Sequence, residues 1–127
     1  MKTMKGPGIF LAQFLRDQEP FHALLPISEW AAGLGYKGVQ IPGWDKRAVD
    51  LEMAATSKDY CDEIKGRLAD LNIEVIELGA YIQGQVLAMH PAYETLFSGF
   101  YPRGLNKQER IRWATRQLKD TIRASVN

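Results

Sequence analysis

The chain has 127 residues, of which 46% are hydrophobic and 24% are charged, and this balance is typical of one soluble globular domain. Sixteen basic and fifteen acidic residues give a net charge of +1, which argues against nucleic acid or an anionic membrane as a partner. No apolar run approaches the roughly 20 residues of a membrane span, and no secretory signal is visible. A single cysteine, Cys61, allows no internal disulfide, so a cytoplasmic location is predicted.

Three runs rich in apolar and β-branched residues predict three β-strands. They are residues 8–14, 36–41 and 73–78. Helical patterns separate these runs, and strands that alternate with helices are expected to pair in parallel through right-handed connections. Strands of a closed parallel sheet carry few charges, so Glu77 near the end of the third run requires an explanation. We interpret it as a salt-bridged structural glutamate.

Capping residues and apolar periodicity predict the helices between these strands. The first helix begins at Pro26, which suits the first helical position, and ends at Gly35, which tolerates the left-handed conformation that follows many helices. A short helical piece is expected at residues 50–55. The next helix begins after Ser57, a good N-cap, and Asn72 is expected to end it. The two longer helices each carry one apolar stripe and are therefore expected to pack against the sheet.

The segment after the third strand is the least regular part of the sequence. An irregular loop is predicted from Gly79 to Tyr93, followed by a short helix from Tyr93 to Phe97, and loops of this length often bind ligands. The final helix begins at Asn106, which together with Glu109 resembles a capping box. Its apolar stripe is Ile111, Ala114, Leu118, Ile122 and Val126. Because this pattern continues to the last residue without a cap, we expect that a following strand is missing.

The expected fold is α/β: a partial (β/α) TIM barrel of about three parallel strands with flanking helices, in one truncated barrel-like domain at residues 1–127. A closed barrel requires eight strand–helix units and about 250 residues, so three strands cannot close one. An open sheet leaves hydrogen-bonding groups unpaired at its edges. We therefore expect completion by self-association as a homo-oligomer, or by the missing C-terminal part of the barrel.

The residues also carry a family resemblance. Residues 50–65 resemble the second βα unit of sugar phosphate isomerase/epimerase proteins, which belong to the xylose isomerase-like TIM-barrel superfamily. Residues 83–93, with Gln-Gly-Gln and His-Pro-Ala-Tyr, are similar to the loop after the third strand of those proteins. Gly43-Trp44-Asp45 adds to the resemblance, which extends over nearly the whole chain, from about residue 8 to residue 126.

This resemblance implies metal-dependent chemistry in a full-length relative. There a divalent ion (Mn, Mg, Co or Zn), held by Glu, Asp and His residues of later strands, polarises a hydroxy-ketone while carboxylates move a proton between neighbouring carbons. Those strands are absent here, so no catalytic residue, metal ligand or cofactor is expected in this chain. The predicted function is an N-terminal fragment of such an isomerase or epimerase, inactive alone. The alternative is a small self-associating binding or structural module derived from the family.

Five residues are candidates for contact with a sugar ligand, and each has a structural alternative. They are Trp44, Tyr81, Gln83, Gln85 and His90. Trp44 either forms an apolar wall of a sugar pocket or covers the barrel end. Tyr81 stands where related chains carry a histidine. The two glutamines bind sugar hydroxyls or satisfy backbone groups, and His90 touches a ligand or orders its loop through a hydrogen bond.

Overall fold

A computed structural model describes residues 6–127 of the chain. Within this range three parallel strands form one sheet in the order β1–β2–β3, with helices between the strands. The strands are β1 (Gly8–Phe10), β2 (Gly38–Pro42) and β3 (Glu74–Gly79). The helices are α1 (Leu24–Gly33), α2 (Leu51–Thr56), α3 (Lys58–Asp70), α4 (Tyr81–Leu87) and α5 (Lys107–Val126), with a 3₁₀ turn at Pro91–Tyr93. The predicted α/β class and the three-stranded parallel sheet with flanking helices are confirmed.

One face of the sheet is apolar and is covered by α1 and α3. Ile9 of β1 lies beside Val39 of β2, and Ile41 follows on the same face because strand side chains alternate between faces. Together with Ile27 of α1 and Leu68 of α3, these residues belong to one cluster in which each is at most 7% exposed. Burying an aliphatic side chain of this size contributes about 1.5–3 kcal/mol, so this covered face is the hydrophobic core.

The opposite face, which we call the open face, carries a row of three aligned residues. Phe10 of β1 lies beside Gln40 of β2, which lies beside Glu77 of β3. The register shifts just before this row, so Ile76 is an additional residue in β3. The Ile76 side chain lies over Gly8, where a Cβ would stand 2.4 Å from Ile76 Cδ1. Because Ile76 remains 46% exposed, this face is far less covered than the other.

The strand boundaries differ from the prediction mainly in β1. That strand ends at Phe10 rather than at residue 14, because the N–H of Phe14 donates to the carbonyl oxygen of Leu11 at 2.9 Å and the chain turns. The N–H of Leu11 makes the last contact with β2, to the carbonyl oxygen of Gln40 at 3.2 Å. The other two strands are displaced by one or two residues from the predicted ranges.

Most predicted helix ends are confirmed, with one exception. Asp50 and Ser57 cap α2 and α3 through their side chains, and Gly35 adopts a left-handed φ of +92° after α1. The exception is the start of α1, which lies at Leu24 rather than at Pro26. Pro26 is tolerated at the third helical position because the first four N–H groups of a helix have no partner within it.

The segment after β3 is more regular than predicted. Residues 81–87 form α4, in which the N–H of Gly84 donates to the carbonyl oxygen of Ala80 at 3.0 Å. The predicted helix at residues 93–97 is wrong, since the structure has the 3₁₀ turn and then further turns. The glycines of this segment suggested a loop, but contact with α5 holds α4 in place. Tertiary packing thus overrides the weak helix propensity of glycine.

The last helix begins as predicted but packs differently. Asn106 and Glu109 form a complete capping box, as expected. The helix then lies against α2 and α4, with little contact to β3. Its buried residues are Ala114, Thr121 and Ala124. The predicted apolar stripe is therefore wrong in its second half, where Ile122 and Val126 are 67% and 83% exposed because small residues face the neighbouring helices instead.

Candidate functional site

Five side chains converge at the carboxyl ends of the strands, on the open face. We call them the open-face cluster: Phe10, Gln40, Trp44, Glu77 and Tyr81. Phe10, Gln40 and Glu77 come from the three strands, Trp44 follows β2, and Tyr81 is the first residue of α4. The carboxyl end of a parallel sheet is where α/β folds place their ligand sites.

A chain of hydrogen bonds crosses the cluster through the phenol oxygen of Tyr81. Gln40 Nε2 donates to this oxygen at 2.7 Å, and the Tyr81 hydroxyl donates to Glu77 Oε1 at 3.0 Å. The phenol therefore uses its donor and one acceptor position within the protein. The structural salt bridge expected for Glu77 is not found among the described residues, where Tyr81 is its partner. Glu77 is an exposed residue of β3.

Three aromatic rings form the apolar part of the cluster. The centroid of Tyr81 lies 5.8 Å from that of Trp44 and 5.8 Å from that of Phe10. Phe10 and Trp44 are 6.3 Å apart, and all three pairs meet edge to face. Such pairs are worth about 0.5–1.5 kcal/mol each beyond their buried area. The rings therefore hold one another in place while Tyr81 remains 52% exposed.

Two glycines lie at the ends of β2 and β3, next to Trp44 and Tyr81. The N–H of Gly43 donates to the carbonyl oxygen of Gly79 at 2.9 Å, which joins the ends of β2 and β3. A Cβ on Gly43 would lie 2.9 Å from that same oxygen, closer than real Cβ atoms come to backbone. A Cβ on Gly79 would lie 3.4 Å from both Trp44 Cζ3 and Tyr81 Cε2. Glycine is thus required at position 43, whereas a Cβ on Gly79 would make an ordinary contact with the two rings.

An ion-pair network fixes the loop that follows Trp44. Arg47 donates from Nε to Asp45 Oδ1 at 3.0 Å and from Nη2 to Asp45 Oδ2 at 2.7 Å. Its Nη1 also donates to Asp17 Oδ1 at 2.9 Å. The hydrogen bond from Arg47 holds the pKa of the Asp45 carboxyl below its usual value, although partial burial opposes this shift. The bidentate pair defines one conformation for the backbone beside Trp44.

The structure brings together two of the five residues predicted to contact a ligand. Trp44 and Tyr81 are in ring contact, whereas Gln85 is exposed on α4. Gln83 is fully buried, and neither polar atom of its amide has a hydrogen-bond partner among the described residues. His90 Nδ1 accepts from the N–H of Ala92 at 3.1 Å and caps the 3₁₀ turn, which is the loop-ordering role considered above.

Sequence reasoning missed Phe10 and Gln40 as parts of the site. Gln40 is the one polar residue in the apolar run Gly38–Pro42. A polar residue in such a run indicates that one face of the strand does not pack in the core, and this signal could have identified Gln40. Phe10 gave no such signal, because an aromatic residue suits a strand in either orientation. Only the register of β1 against β2 shows that it faces the cluster.

Among residues 6–127 no three His, Cys, Asp or Glu side chains form a group that could hold a metal ion.

Cys61 Sγ donates to the carbonyl oxygen of Ala54 at 3.3 Å, and burial raises the pKa of this thiol. It thus remains a protonated, partly buried side chain. None of the helices in the described range is long and apolar enough to cross a membrane.

Comparison with known proteins identifies no family: no protein-family model matches the chain, and no curated protein matches it. The resemblance to sugar phosphate isomerases and epimerases therefore remains a prediction from the sequence. The fold and the site define a class of architecture, an α/β protein with a three-stranded parallel sheet and an aromatic and polar cluster at its carboxyl end.

Proposed function

We propose that the chain binds a sugar-like, polyhydroxylated small molecule at the open-face cluster, and that it does so as part of a (β/α) barrel of the isomerase/epimerase type. The observation that carries this proposal is the Tyr81 hydroxyl held between Gln40 and Glu77, next to the ring of Trp44. Small-molecule sites combine an apolar, aromatic lining with a few placed polar groups, and this cluster has both.

Each part of the cluster has a defined task in such binding. The C–H groups on one side of a sugar ring pack against Trp44 and Tyr81, which removes apolar surface from water. The hydroxyls of the sugar donate to the Glu77 carboxylate, whose two oxygens accept more hydrogen bonds than the single one from Tyr81. Gln40 fixes the phenol, so the polar groups are oriented before the ligand arrives.

The proposal assigns binding, and not turnover, to the chain alone. Moving a proton between neighbouring carbons of a hydroxy-ketone needs a group that polarises the carbonyl and a base near the carbon acid. The cluster offers one carboxylate, Glu77, and its hydrogen bond with Tyr81 suits recognition of hydroxyls. A divalent metal (Mn, Mg, Co or Zn) remains an expectation for a full-length relative. The proposal keeps the cytoplasmic location that the single cysteine predicts.

A matched pair of glutamate variants tests the binding proposal. Aldoses, ketoses and their phosphates are titrated into the protein while the fluorescence of Trp44 and the other tryptophans is recorded. Glu77→Gln keeps the shape but removes the charge, and we expect its affinity to fall about tenfold or more, as for a lost charge-assisted hydrogen bond. Glu74→Gln removes the same charge at the other end of β3 and should bind as the wild type does.

Two results would overturn the proposal. One is the absence of saturable binding by every sugar at millimolar concentration. The other is an equal loss of affinity in Glu77→Gln and Glu74→Gln, which would indicate a general effect of charge on β3. Metal-dependent epimerisation of a ketose by the purified chain would overturn only the assignment of binding without turnover.

We also propose that the sheet is completed by association, either with copies of this chain or with the remaining part of a barrel. The supporting observation is β3, which lies at one edge of the sheet. Its residues Val75 and Ile76 are 37% and 46% exposed, unlike the buried residues of the central strand β2. An apolar edge strand with unpaired backbone groups is a template for association.

A further inference from the structure

A cleft of about 510 Å³ opens beside the edge strand. Its walls are β3, the first half of α3 and the C-terminal end of α5. The lining is largely apolar and includes Ile41, Ile64, Val75, Leu78, Ala124 and Val126. The cleft exists because α5 lies against α2 and α4, so it does not fill the space between β3 and α3. An apolar cleft of this size exposed to water favours an occupant.

The surface next to this cleft carries apolar side chains of suitable size. Ile122 and Val126 lie one helical turn apart on α5 and are 67% and 83% exposed. Val126 is itself part of the cleft rim. A protrusion and a cleft on the same surface suit a two-fold contact, in which each copy inserts its protrusion into the cleft of the other. Burial of each side chain would contribute to association through the hydrophobic effect.

The charges of the two surfaces are complementary. The exposed side of α5 carries Arg116 and Lys119, and Arg123 beside them is paired with Asp120 at 2.9 Å. The edge strand β3 carries the exposed glutamates Glu74 and Glu77, and Lys65 is the one basic residue among those that line the cleft. A contact between α5 of one copy and β3 of the other therefore brings opposite charges together. Pairing of β3 with β3 of a second copy would instead gather the glutamates of both strands, which is unfavourable for like charges.

We propose that a second copy of this chain occupies the cleft, with Ile122 and Val126 of each α5 seated between β3 and α3 of the other copy. Lys119 and its basic neighbours then face Glu74 and the acidic edge of β3. This contact is one form of the self-association proposed above, in which a helix covers the edge of β3 and no strand is added. Glu77 also lines the cleft, so the contact lies next to the open-face cluster. The resulting protein is a symmetric dimer held by two identical contacts.

The solution mass of the purified chain tests this contact. By size exclusion coupled to light scattering, the wild type is expected at twice the 14.4 kDa chain mass, with a proportion of monomer that rises on dilution. Val126→Glu and Ile122→Glu place a charge in an apolar cleft and should give monomers. Leu34→Glu, at a 60% exposed apolar residue after α1, is the matched control and should leave the dimer intact. Circular dichroism on each peak shows that the variant is folded.

A charge exchange tests the same contact without changing apolar residues. Lys119→Glu and Glu74→Lys each place like charges across the contact, and each is expected to raise the dimer dissociation constant at least tenfold. The double variant restores opposite charges and should regain most of the lost affinity. Added salt should weaken the wild-type dimer and reduce the difference between the variants.

Three outcomes would overturn the proposal: a folded wild-type monomer at 100 µM or so, a dimer that persists in Val126→Glu, and a double charge variant as weak as the single ones. If Val126→Glu is unfolded, the charge exchange decides. Sugar titration separates this proposal from the binding proposal, because Val126→Glu leaves every residue of the open-face cluster unchanged. A monomeric wild type that binds sugar overturns only the dimer contact, and a dimeric wild type that binds no sugar overturns only the binding proposal.

Discussion

The two faces of the same sheet differ in what holds their side chains. On the covered face, Ile9, Val39 and Ile41 are fixed by close packing against two helices. On the open face, hydrogen bonds and ring contacts fix the side chains, and the central residue of the arrangement, Tyr81, is half exposed. Because successive side chains of a strand point to opposite faces of the sheet, neighbouring residues of one strand are held in these two different ways.

The two faces contribute to different properties, the covered face to stability and the open face to ligand recognition. Apolar packing on the covered face removes a large area from water but presents no group that a ligand could contact. The open face buries less area, yet it places a carboxylate, an amide, a phenol and an indole within one cluster. Substitutions on the covered face should therefore change the free energy of unfolding, and those on the open face should change ligand affinity. The following predictions test that separation, from the largest effect to the smallest.

The largest effect is expected for Leu68→Ala on the covered face. Leu68 of α3 is fully buried in the core cluster, so truncation removes apolar contacts and leaves a cavity. The free energy of unfolding should fall by about 2–5 kcal/mol in urea denaturation. Tyr81→Phe on the open face removes one hydroxyl and should change it by about 1 kcal/mol or less. Equal destabilisation by the two variants would contradict the separation of the faces.

A smaller loss of stability is expected for Gly43→Ala, at the point where the open face begins. The added Cβ meets the carbonyl oxygen of Gly79 at 2.9 Å, and this backbone atom cannot move without disturbing β3. We expect a loss of about 1–3 kcal/mol and an altered near-ultraviolet circular dichroism signal from Trp44, which follows directly. The control is Gly66→Ala in the middle of α3, where nothing lies within 4 Å. It should stabilise the protein by about 0.5–1 kcal/mol, since alanine is the better helix former.

The sequence predicted those parts of the fold that depend on local interactions. Ser57 as a cap and the pair Asn106 and Glu109 are confirmed, because each contacts backbone only three residues away. Gly35 is confirmed because its conformation is decided at a single residue. The parallel order of the strands follows from the alternation of strands and helices, which is also readable along the chain.

The sequence could not predict features that depend on how distant elements pack. Ile122 and Val126 have the periodicity of a buried stripe, but small residues on the other side of α5 allow a closer approach to α2 and α4. The contact between Trp44 and Tyr81 joins residues that only the strand register brings together. The sequence placed both near the carboxyl ends of strands, and no pattern in it shows that they touch.

Stability should rise for Gln83→Leu, a residue that belongs to neither face. The Gln83 amide is buried without a hydrogen-bond partner among the described residues, and leaving such a group unpaired costs free energy that an apolar side chain of similar size avoids. We expect an increase of about 1 kcal/mol in urea denaturation. Gln85→Leu on the exposed side of α4 is the control and should change little.

The same variant decides whether Gln83 contacts a ligand, as the sequence predicted. If the cluster alone binds the sugar, Gln83→Leu should keep the wild-type affinity while its stability rises. A fall in affinity together with unchanged stability would mean that ligand binding turns the buried amide toward the site. The comparison of the two faces would then have to include α4 as part of the recognition surface.

The smallest effect is expected from pH, through the ion pair that fixes the loop beside Trp44. Because Arg47 lowers the pKa of Asp45 in the folded state, the carboxylate stabilises the fold at pH values above its unfolded pKa of about 3.9. That contribution is lost as the pH falls through the lower, folded pKa. Urea denaturation of the wild type and of Asp45→Asn should therefore differ at pH 6, and the difference should shrink toward pH 3. A difference that grows on acidification would have the wrong sign for a carboxylate held in its charged form, and would mean that Arg47 does not fix this loop.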